Sequence, residues 1–304
     1  MSVETTPTPT TSTGASGLSA AKALTFPEEG VIRAAGRRRS FVTRTPAEKR
    51  EAAWYAIGAV TVFGAVFVLW EALPAFGLVN EIILPRATDV ARAIGELLVS
   101  DFLLENVTST LTAILWGFLA GVGTGIVVGI SLAVFRPFKR LFYPFVVAFQ
   151  TIPKIVFAPL FIVWFGFGQN SKVAMATAIG FFPVLINTMV GLENVPQDAI
   201  RLMRSLRATP LQTFWKVRIL HAAPLIFAGI KSALTYAVIG VIVAEFVGST
   251  KGLGHLLTVY NFQLRIDRAF AVIVFLSVIG SSLYFLIEWV DRRLIFWSED
   301  RKTV

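Results

Sequence analysis

Residues 106–135 form a run of thirty residues that contains no Asp, Glu, Lys or Arg. A helix needs roughly 20 apolar residues to cross about 30 Å of hydrocarbon, so this run is long enough to span a membrane. Of the 304 residues, 55% are hydrophobic and 15% are charged, whereas about a quarter of a soluble domain is charged. The sequence therefore predicts an all-α integral membrane protein.

Six segments are apolar enough to form membrane-spanning helices. Lys154 interrupts one of them, and Lys231 and Glu245 interrupt another. The six segments are residues 54–70, 106–135, 141–171, 173–192, 219–247 and 269–287. Prolines within the third segment remove backbone hydrogen bonds, so this segment is predicted to be kinked near Lys154.

The distribution of positive charge predicts how the chain lies in the membrane. With both termini in the cytoplasm, the inside segments hold 20 of the 28 Lys and Arg residues. Cytoplasmic loops carry such an excess, so the net charge of +9 indicates orientation and not a nucleic-acid partner. The inside segments are residues 1–50, 136–140, 193–218 and 291–304.

The chain divides into two tails and a membrane domain. Residues 1–50 are predicted to form a disordered, basic cytoplasmic tail that contacts anionic lipid. Residues 51–295 form the transmembrane domain, and 296–304 form a short cytoplasmic tail. Between the first two spans, helical spacing predicts an amphipathic helix at the outer surface. Its apolar residues are Val90, Ile94, Leu97 and Leu98.

Several residues inside the spans are candidates for packing or transport. Glycines at every fourth position of the second span share one helical face and favour close helix packing over a role in the transport path. These are Gly117, Gly121, Gly125 and Gly129. Lys154 is a candidate for the transport pathway, or its ammonium reaches toward the cytoplasmic interface. Glu245 gates the pathway or contacts cargo, or it is a hydrogen-bonded structural carboxylate.

The sequence argues against catalytic and metal chemistry. It contains no Cys, and its two His residues lie 34 positions apart, which is weak material for a metal site. No Lys follows a Gly, so the Gly-Lys pair of a phosphate-binding loop is absent from this sequence. No catalytic residue, metal ligand or bound cofactor is therefore predicted.

Residues 193–218 are too polar to span a membrane and are predicted to form two short helices. Ile200, Met203 and Leu206 share a face of the first. Thr209 is the predicted N-cap of the second, with a capping box to Gln212 and Pro210 at the first helical position. Leu211, Phe214 and Trp215 give this helix an apolar face. We expect that apolar face to be buried against the lipid surface, the protein's own spans or a groove on another protein.

The segment 197–224 resembles the conserved cytoplasmic loop of binding-protein-dependent ABC importer permeases, and within them the nitrate, sulfonate, taurine and pyrimidine-precursor branch. Supporting matches lie at residues 83–90, 152–168 and 243–254, and the resemblance covers roughly 54–296. The family's Glu-Ala-Ala…Gly pattern is replaced here by Arg201, Leu202, Met203 and Arg207. Leu220 stands where a proline is usual. The loop length and its Thr-x-x-Gln-x-Phe core are retained, so docking is still expected.

This resemblance implies about six transmembrane helices with the type I importer fold, in a bacterial inner membrane. It also implies a second permease copy, two ATP-binding subunits that hold ATP and Mg, and an extracytoplasmic solute-binding protein. The resemblance also implies that one set of loop residues contacts the ATP-binding subunit and couples to it. These are Arg201, Met203, Leu206, Arg207, Ala208, Thr209, Leu211, Gln212, Phe214, Trp215 and Lys216.

The solute is expected to be small and polar or anionic, since Lys154 and Lys231 place positive charge in the spans. One alternative is a secondary transporter in which Glu245 carries a proton or sodium ion. No repeat between the two halves supports it. A membrane-embedded enzyme is the other alternative, and the near absence of Asp and Glu from the spans argues against it.

Overall fold

The computed structural model describes residues 46–295 and Trp297, and this part of the chain is helical. Contacts between residues divide the chain into two compact units, residues 1–59 and residues 60–304. The helices are α1 (Pro46–Ala75), α2 (Ala87–Leu98), α3 (Asp101–Val134), α4 (Arg136–Thr151), α5 (Ala158–Phe165), α6 (Gln169–Glu193), α7 (Gln197–Ser205), α8 (Pro210–Thr213), α9 (Ile219–Val247), α10 (Leu253–Phe262) and α11 (Ile266–Leu294). A 3₁₀ turn (Lys154–Phe157) precedes α5, and a π-helical turn (Phe214–Arg218) joins α8 to α9.

Five helical segments of the described chain are long and apolar enough to cross a membrane. They are Ile57–Ala75, Asp101–Val134, Gln169–Glu193, Pro210–Val247 and Ile266–Leu294. A sixth span forms if α4 and the segment Lys154–Phe165 are taken together, with a bend of 90° between them. The expected architecture of about six spans is therefore confirmed.

The bend lies where the sequence predicts a kink. Ile152 adopts an extended conformation (ψ 130°) immediately before Pro153, and the 3₁₀ turn begins at Lys154. Contact with the proline ring disfavours the helical region for the preceding residue, and proline itself donates no backbone hydrogen bond. These two effects end α4 and turn the chain.

The centre of the bundle consists of α6 packed along both α3 and α9. Small side chains line this contact, so the helix backbones approach closely. The buried cluster combines Ala113, Ile114 and Phe118 of α3, Ala176 and Val184 of α6, and Ala233, Ala237 and Val241 of α9. This packing places the polar residues at the helix ends in fixed positions relative to one another.

The predicted amphipathic helix is present as α2, but one of its four apolar positions was assigned to the wrong face. Val90 and Leu97 are buried and Ile94 is half-buried, whereas Leu98 is 63% exposed. Leu98 follows Leu97 directly and so lies about 100° further round the helix. The buried face of α2 packs mainly against α11 and joins a cluster that also contains residues of α3 and α10.

Helix α1 begins at Pro46, so residues 46–50 are helical although the sequence analysis places them in the disordered tail. Proline is favoured in the first helical turn, and Ala, Glu and Lys are good helix formers that extend the apolar helix outward. The predicted tail residues 1–45 lie outside the described residues, as do 296 and 298–304 of the C-terminal tail.

Candidate functional site

The segment 193–218 contains the predicted capped helix. Thr209 Oγ1 accepts the backbone N–H of Gln212 at 3.2 Å, and the Thr209 N–H donates to Gln212 Oε1 at 2.9 Å. The predicted capping box, with Pro210 in the first turn, is therefore confirmed. The helix then continues through the π-helical turn into α9, so one helical segment runs from Pro210 to Val247.

Arg207 adopts a backbone conformation that favours glycine, which is the residue that the resembled permeases have at this position. Its φ of 53° lies in the left-handed region, which glycine adopts without steric cost. The Ala208 N–H donates to the Met203 carbonyl, and the Arg207 N–H donates to the Arg204 carbonyl. This is the hydrogen-bond pattern of a Schellman motif at the end of α7. Arg207 therefore forms the family's turn at a conformational cost.

Four large apolar side chains of this segment are exposed: Leu202, Leu206, Leu211 and Trp215. We call the last three the coupling patch. Leu211 and Trp215 are four residues apart and share one face of the helix. Phe214 instead turns inward and packs against Leu192, Ala222 and Ile226. Among the other candidate coupling residues, Met203 and Ala208 are half-buried, and Arg201, Arg207, Thr209, Gln212 and Lys216 are exposed.

A cleft of about 600 Å³ separates this segment from the end of α3. Ile130 and Val134 line the α3 side. Ile200, Ala208, Leu211 and Phe214 line the loop side, and Arg204 and Arg218 are also at its walls. Segment 193–218 is therefore continuous with α9, whereas a cleft separates it from α3.

At the other end of the helices, Glu245 is 1% exposed and forms an ion pair with Lys172, which is 2% exposed. Lys172 Nζ lies 3.1 Å from Glu245 Oε1. Thr110 Oγ1 donates to the same carboxylate at 2.9 Å. Lys172 also donates to Ser109 Oγ at 2.9 Å and to the Lys251 carbonyl. This buried ion pair joins α3, α6 and α9.

The same cluster caps the start of α10. Backbone N–H groups in the first turn of a helix have no partner within that helix. The N–H of Gly252 donates to Asn106 Oδ1 at 2.6 Å, that of Leu253 to Thr110 Oγ1 at 2.8 Å, and that of Gly254 to Glu245 Oε2 at 2.7 Å. Gly252 has φ of 124°, and a Cβ there would overlap the Glu245 carboxylate.

Of the two alternatives for Glu245, this geometry favours the hydrogen-bonded structural carboxylate. Lys172 could not be identified as the partner of Glu245 from the sequence, because it falls between the third and fourth predicted spans, outside the apolar segments. One signal was available: Lys172 is the sole charged residue within 155–192. Burial, and then the charge of Lys172, lower the pKa of nearby His255 below its ordinary value, which favours the neutral imidazole.

Lys231 and Lys154 differ in their partners. Lys231 Nζ lies 3.0 Å from Glu288 and 3.1 Å from Asp291, so its charge joins α9 to α11 and is neutralised there. The expectation that Lys231 favours an anionic solute therefore loses its basis. Lys154 Nζ donates to the Gln150 carbonyl at 3.3 Å and lies 5.2 Å from the centre of the Phe182 ring. No carboxylate of the described residues lies within 4 Å of it.

The sequence of this chain matches a known protein family. Residues 121–296 match the family described as binding-protein-dependent transport system inner membrane component. The chain belongs to this family of ABC importer permeases. The permease is 32% identical to a probable ABC transporter permease protein of Haemophilus influenzae, over 78% of this chain and 96% of that protein.

Two further relatives carry more specific names. The permease is 32% identical to the riboflavin transport system permease RibX of Chloroflexus aurantiacus, over 80% of this chain and 91% of that protein. It is 30% identical to the putative aliphatic sulfonates transport permease SsuC of Bacillus subtilis, over 76% and 84%. A chain of the inward-facing methionine ABC transporter MetNI shares the fold, with TM-score 0.54, 24% identity and coverage of 64% and 94%.

The family settles the class of function. The chain is the multi-pass permease component of an importer, and ATP hydrolysis takes place in a separate subunit that binds the nucleotide. An ATP-binding subunit and a solute-binding protein are its partners. This decides against both the ion-gradient and the enzyme alternatives.

The four candidate packing glycines of the permease lie along the contact between α3 and α6. All four are buried, and a Cβ added at each would lie within 3.2 Å of an atom of α6. For Gly121 and Gly129 these atoms include the carbonyl oxygens of Thr177 at 3.2 Å and Leu185 at 2.8 Å. At Gly117 and Gly125 the nearest atoms are the side-chain Cβ atoms of Ala176 and Val184, and each of these glycines also faces a backbone carbonyl oxygen of α6. Backbone atoms thus meet backbone atoms along four turns.

Proposed function

We propose that segment 193–218 docks on the ATP-binding subunit and transmits its movement to the spans. The observation that carries this proposal is the coupling patch: Trp215 is 60% exposed, and Leu206 and Leu211 are each 67% exposed. Trp is enriched among the residues that anchor protein interfaces, and exposed apolar patches on a polar segment mark interaction sites. The remaining predicted coupling residues surround this patch.

The segment is suited to act as a lever because it is continuous with α9. The Thr209 capping box fixes its first turn, and inward-facing Phe214 holds the turn against α9 and α6. Closure of the ATP-binding pair would move this segment, and the helix to Val247 would follow. The spans would then shift between inward-open and outward-open arrangements. The cleft beside α3 gives the segment room to move.

The proposed orientation and assembly follow from the charge distribution and the partners. We infer that both termini and segment 193–218 are cytoplasmic, because the excess of Lys and Arg lies in these segments. The solute-binding protein then contacts the opposite end, near α2 and α10. We further propose a homodimer, in which two coupling segments dock on two ATP-binding subunits within the lipid-embedded complex.

Replacing Trp215 by Ala is expected to reduce copurification of the ATP-binding subunit and ATP-driven uptake by at least tenfold. Loss of a buried aromatic anchor at an interface costs about 2 kcal/mol or more. Trp116→Ala is the matched control, since Trp116 of α3 is 61% exposed but lies outside the segment. Copurification and uptake that survive Trp215→Ala, or fall equally in the control, would contradict the proposed docking.

We also propose that the solute is a small anion attracted by Lys154. Lys172 and Lys231 are neutralised by carboxylates, whereas Lys154, beside the bend, has no carboxylate of the described residues within 4 Å. A charge within a span is costly unless it serves a polar path or a partner. The name of the Bacillus subtilis relative suggests an aliphatic sulfonate as the probe.

Lys154→Met is expected to lower sulfonate uptake by about tenfold, whereas Lys154→Arg retains most of it, because one charge contact is worth about 1–2 kcal/mol. Uptake of ethanesulfonate is measured in proteoliposomes that contain the ATP-binding subunits and the cognate binding protein. Neutral riboflavin, named for the Chloroflexus relative, is the comparison solute. Riboflavin uptake that exceeds sulfonate uptake, or a Met variant with wild-type uptake, would exclude the anionic solute.

A further inference from the structure

A group of three cations lies at the corner between α3 and α4. Arg136, Lys139 and Arg140 occupy the start of α4, where no acidic residue is present. Lys139 Nζ lies 2.6 Å from Glu193 and is therefore paired. Arg136 and Arg140 are exposed, and no ion pair joins either of them to a carboxylate of the described residues. Like charges four residues apart on a helix repel each other, so an external anion between them would stabilise this turn.

Two adjoining clefts lie beside the same arginines. The first, of about 450 Å³, is lined by Arg136, Pro137, Arg140 and Leu141. The second, of about 530 Å³, is lined by Ser131, Phe135, Pro137, Phe138 and Leu141. Pro137 and Leu141 belong to both clefts, so the charged surface continues directly into an apolar one. A ligand that fits both the charged surface and the adjoining apolar surface has an anionic head and an apolar tail.

We propose that this corner binds an anionic phospholipid such as phosphatidylglycerol. The phosphate lies between the guanidinium groups of Arg136 and Arg140, which match phosphate geometry. An acyl chain lies along Phe135, Phe138 and Leu141. Basic pockets beside membrane helices on the cytoplasmic side recognise such head groups. The inference rests on the cytoplasmic placement proposed above, because the corner lies beside segment 193–218.

Membrane depth favours a lipid over a protein partner at this site. Beyond the arginines, α4 has no buried residue and exposes Phe142, Phe145 and Phe149. An apolar helix surface of this kind lies at the depth of the hydrocarbon, so the adjoining arginines lie at the head-group level of the same membrane face.

The test uses the purified complex of the permease with its ATP-binding subunits. Phosphatidylglycerol or phosphatidylcholine is titrated into delipidated complex, and bound lipid is counted by native mass spectrometry. Arg136→Gln/Arg140→Gln is expected to weaken phosphatidylglycerol binding by about tenfold and leave phosphatidylcholine binding unchanged. The Arg136→Lys/Arg140→Lys variant keeps part of the preference. Arg92→Gln/Arg265→Gln is the control, because both arginines lie at the opposite end.

Three results would overturn the proposal. The first is equal binding of the two lipids by the wild-type complex, and the second is an unchanged preference in the double Gln variant. The third is competition by free glycerol phosphate at lipid concentrations, which would assign the site to a soluble phosphate. Copurification with Trp215→Ala reports separately on the proposed coupling function.

Discussion

Replacing Lys172 by Met is expected to lower the free energy of unfolding of the permease by about 3–5 kcal/mol, because removal of one partner leaves the other charge buried and uncompensated. Glu245 is 1% exposed, and its remaining partners, Thr110 and the N–H of Gly254, are neutral. The loop before α10 and the junction of three spans depend on this carboxylate. Thermal denaturation of the detergent-purified protein, followed by size-exclusion chromatography, measures the loss.

Two further variants separate this effect from a general effect of removing charge. Arg201→Gln breaks an exposed pair with Asp198 and should change stability by less than about 1 kcal/mol. The double variant Lys172→Met/Glu245→Gln should recover part of the loss, since no lone charge stays buried. A Lys172→Met protein as stable as the Arg201→Gln control would show that the ion pair does not hold this end of the bundle.

The second large effect is expected at the contact between α3 and α6. Gly125→Leu should destabilise the permease by about 3 kcal/mol or more and prevent recovery of a monodisperse protein, because overpacking here requires a backbone shift. A Cβ at Gly125 would lie 2.9 Å from the Phe181 carbonyl oxygen and 2.8 Å from Val184 Cβ. Neither atom can move without displacing α6. Expression yield and thermal denaturation measure the result.

Gly123→Leu is the matched control, because Gly123 lies two residues away on the same helix and an added Cβ there meets no atom within 4 Å. Like Gly125→Leu, this variant replaces a glycine of α3, which weakens the helix, by leucine and so adds the same apolar volume. It should therefore retain wild-type stability or exceed it slightly, since Gly is less favourable than other residues in a helix. Equal damage from both substitutions would show that α3 and α6 do not require close backbone contact.

The patterns that could be recognised from the sequence are local ones. The four-residue spacing of Gly125 and Gly129 depends only on helix geometry, and the capping box of Thr209 and Gln212 depends on residues three positions apart. The bend at Pro153 follows from the covalent structure of proline. The assignment of Leu98 to the buried face was wrong because it depends on where α10 and α11 lie, which spacing within α2 does not specify.

The sequence by itself determined that the chain is a helical membrane protein, approximately where its spans lie along the chain, and that one polar segment carries an exposed apolar face. Those properties follow from hydrogen bonds and apolar surface within short segments. Only the tertiary structure decided that Lys172 pairs with Glu245, that Lys231 is neutralised by Glu288 and Asp291, and that Phe214 faces inward while Trp215 does not. Each of these depends on side chains distant in sequence, whose separation is set by how closely the helix backbones pack.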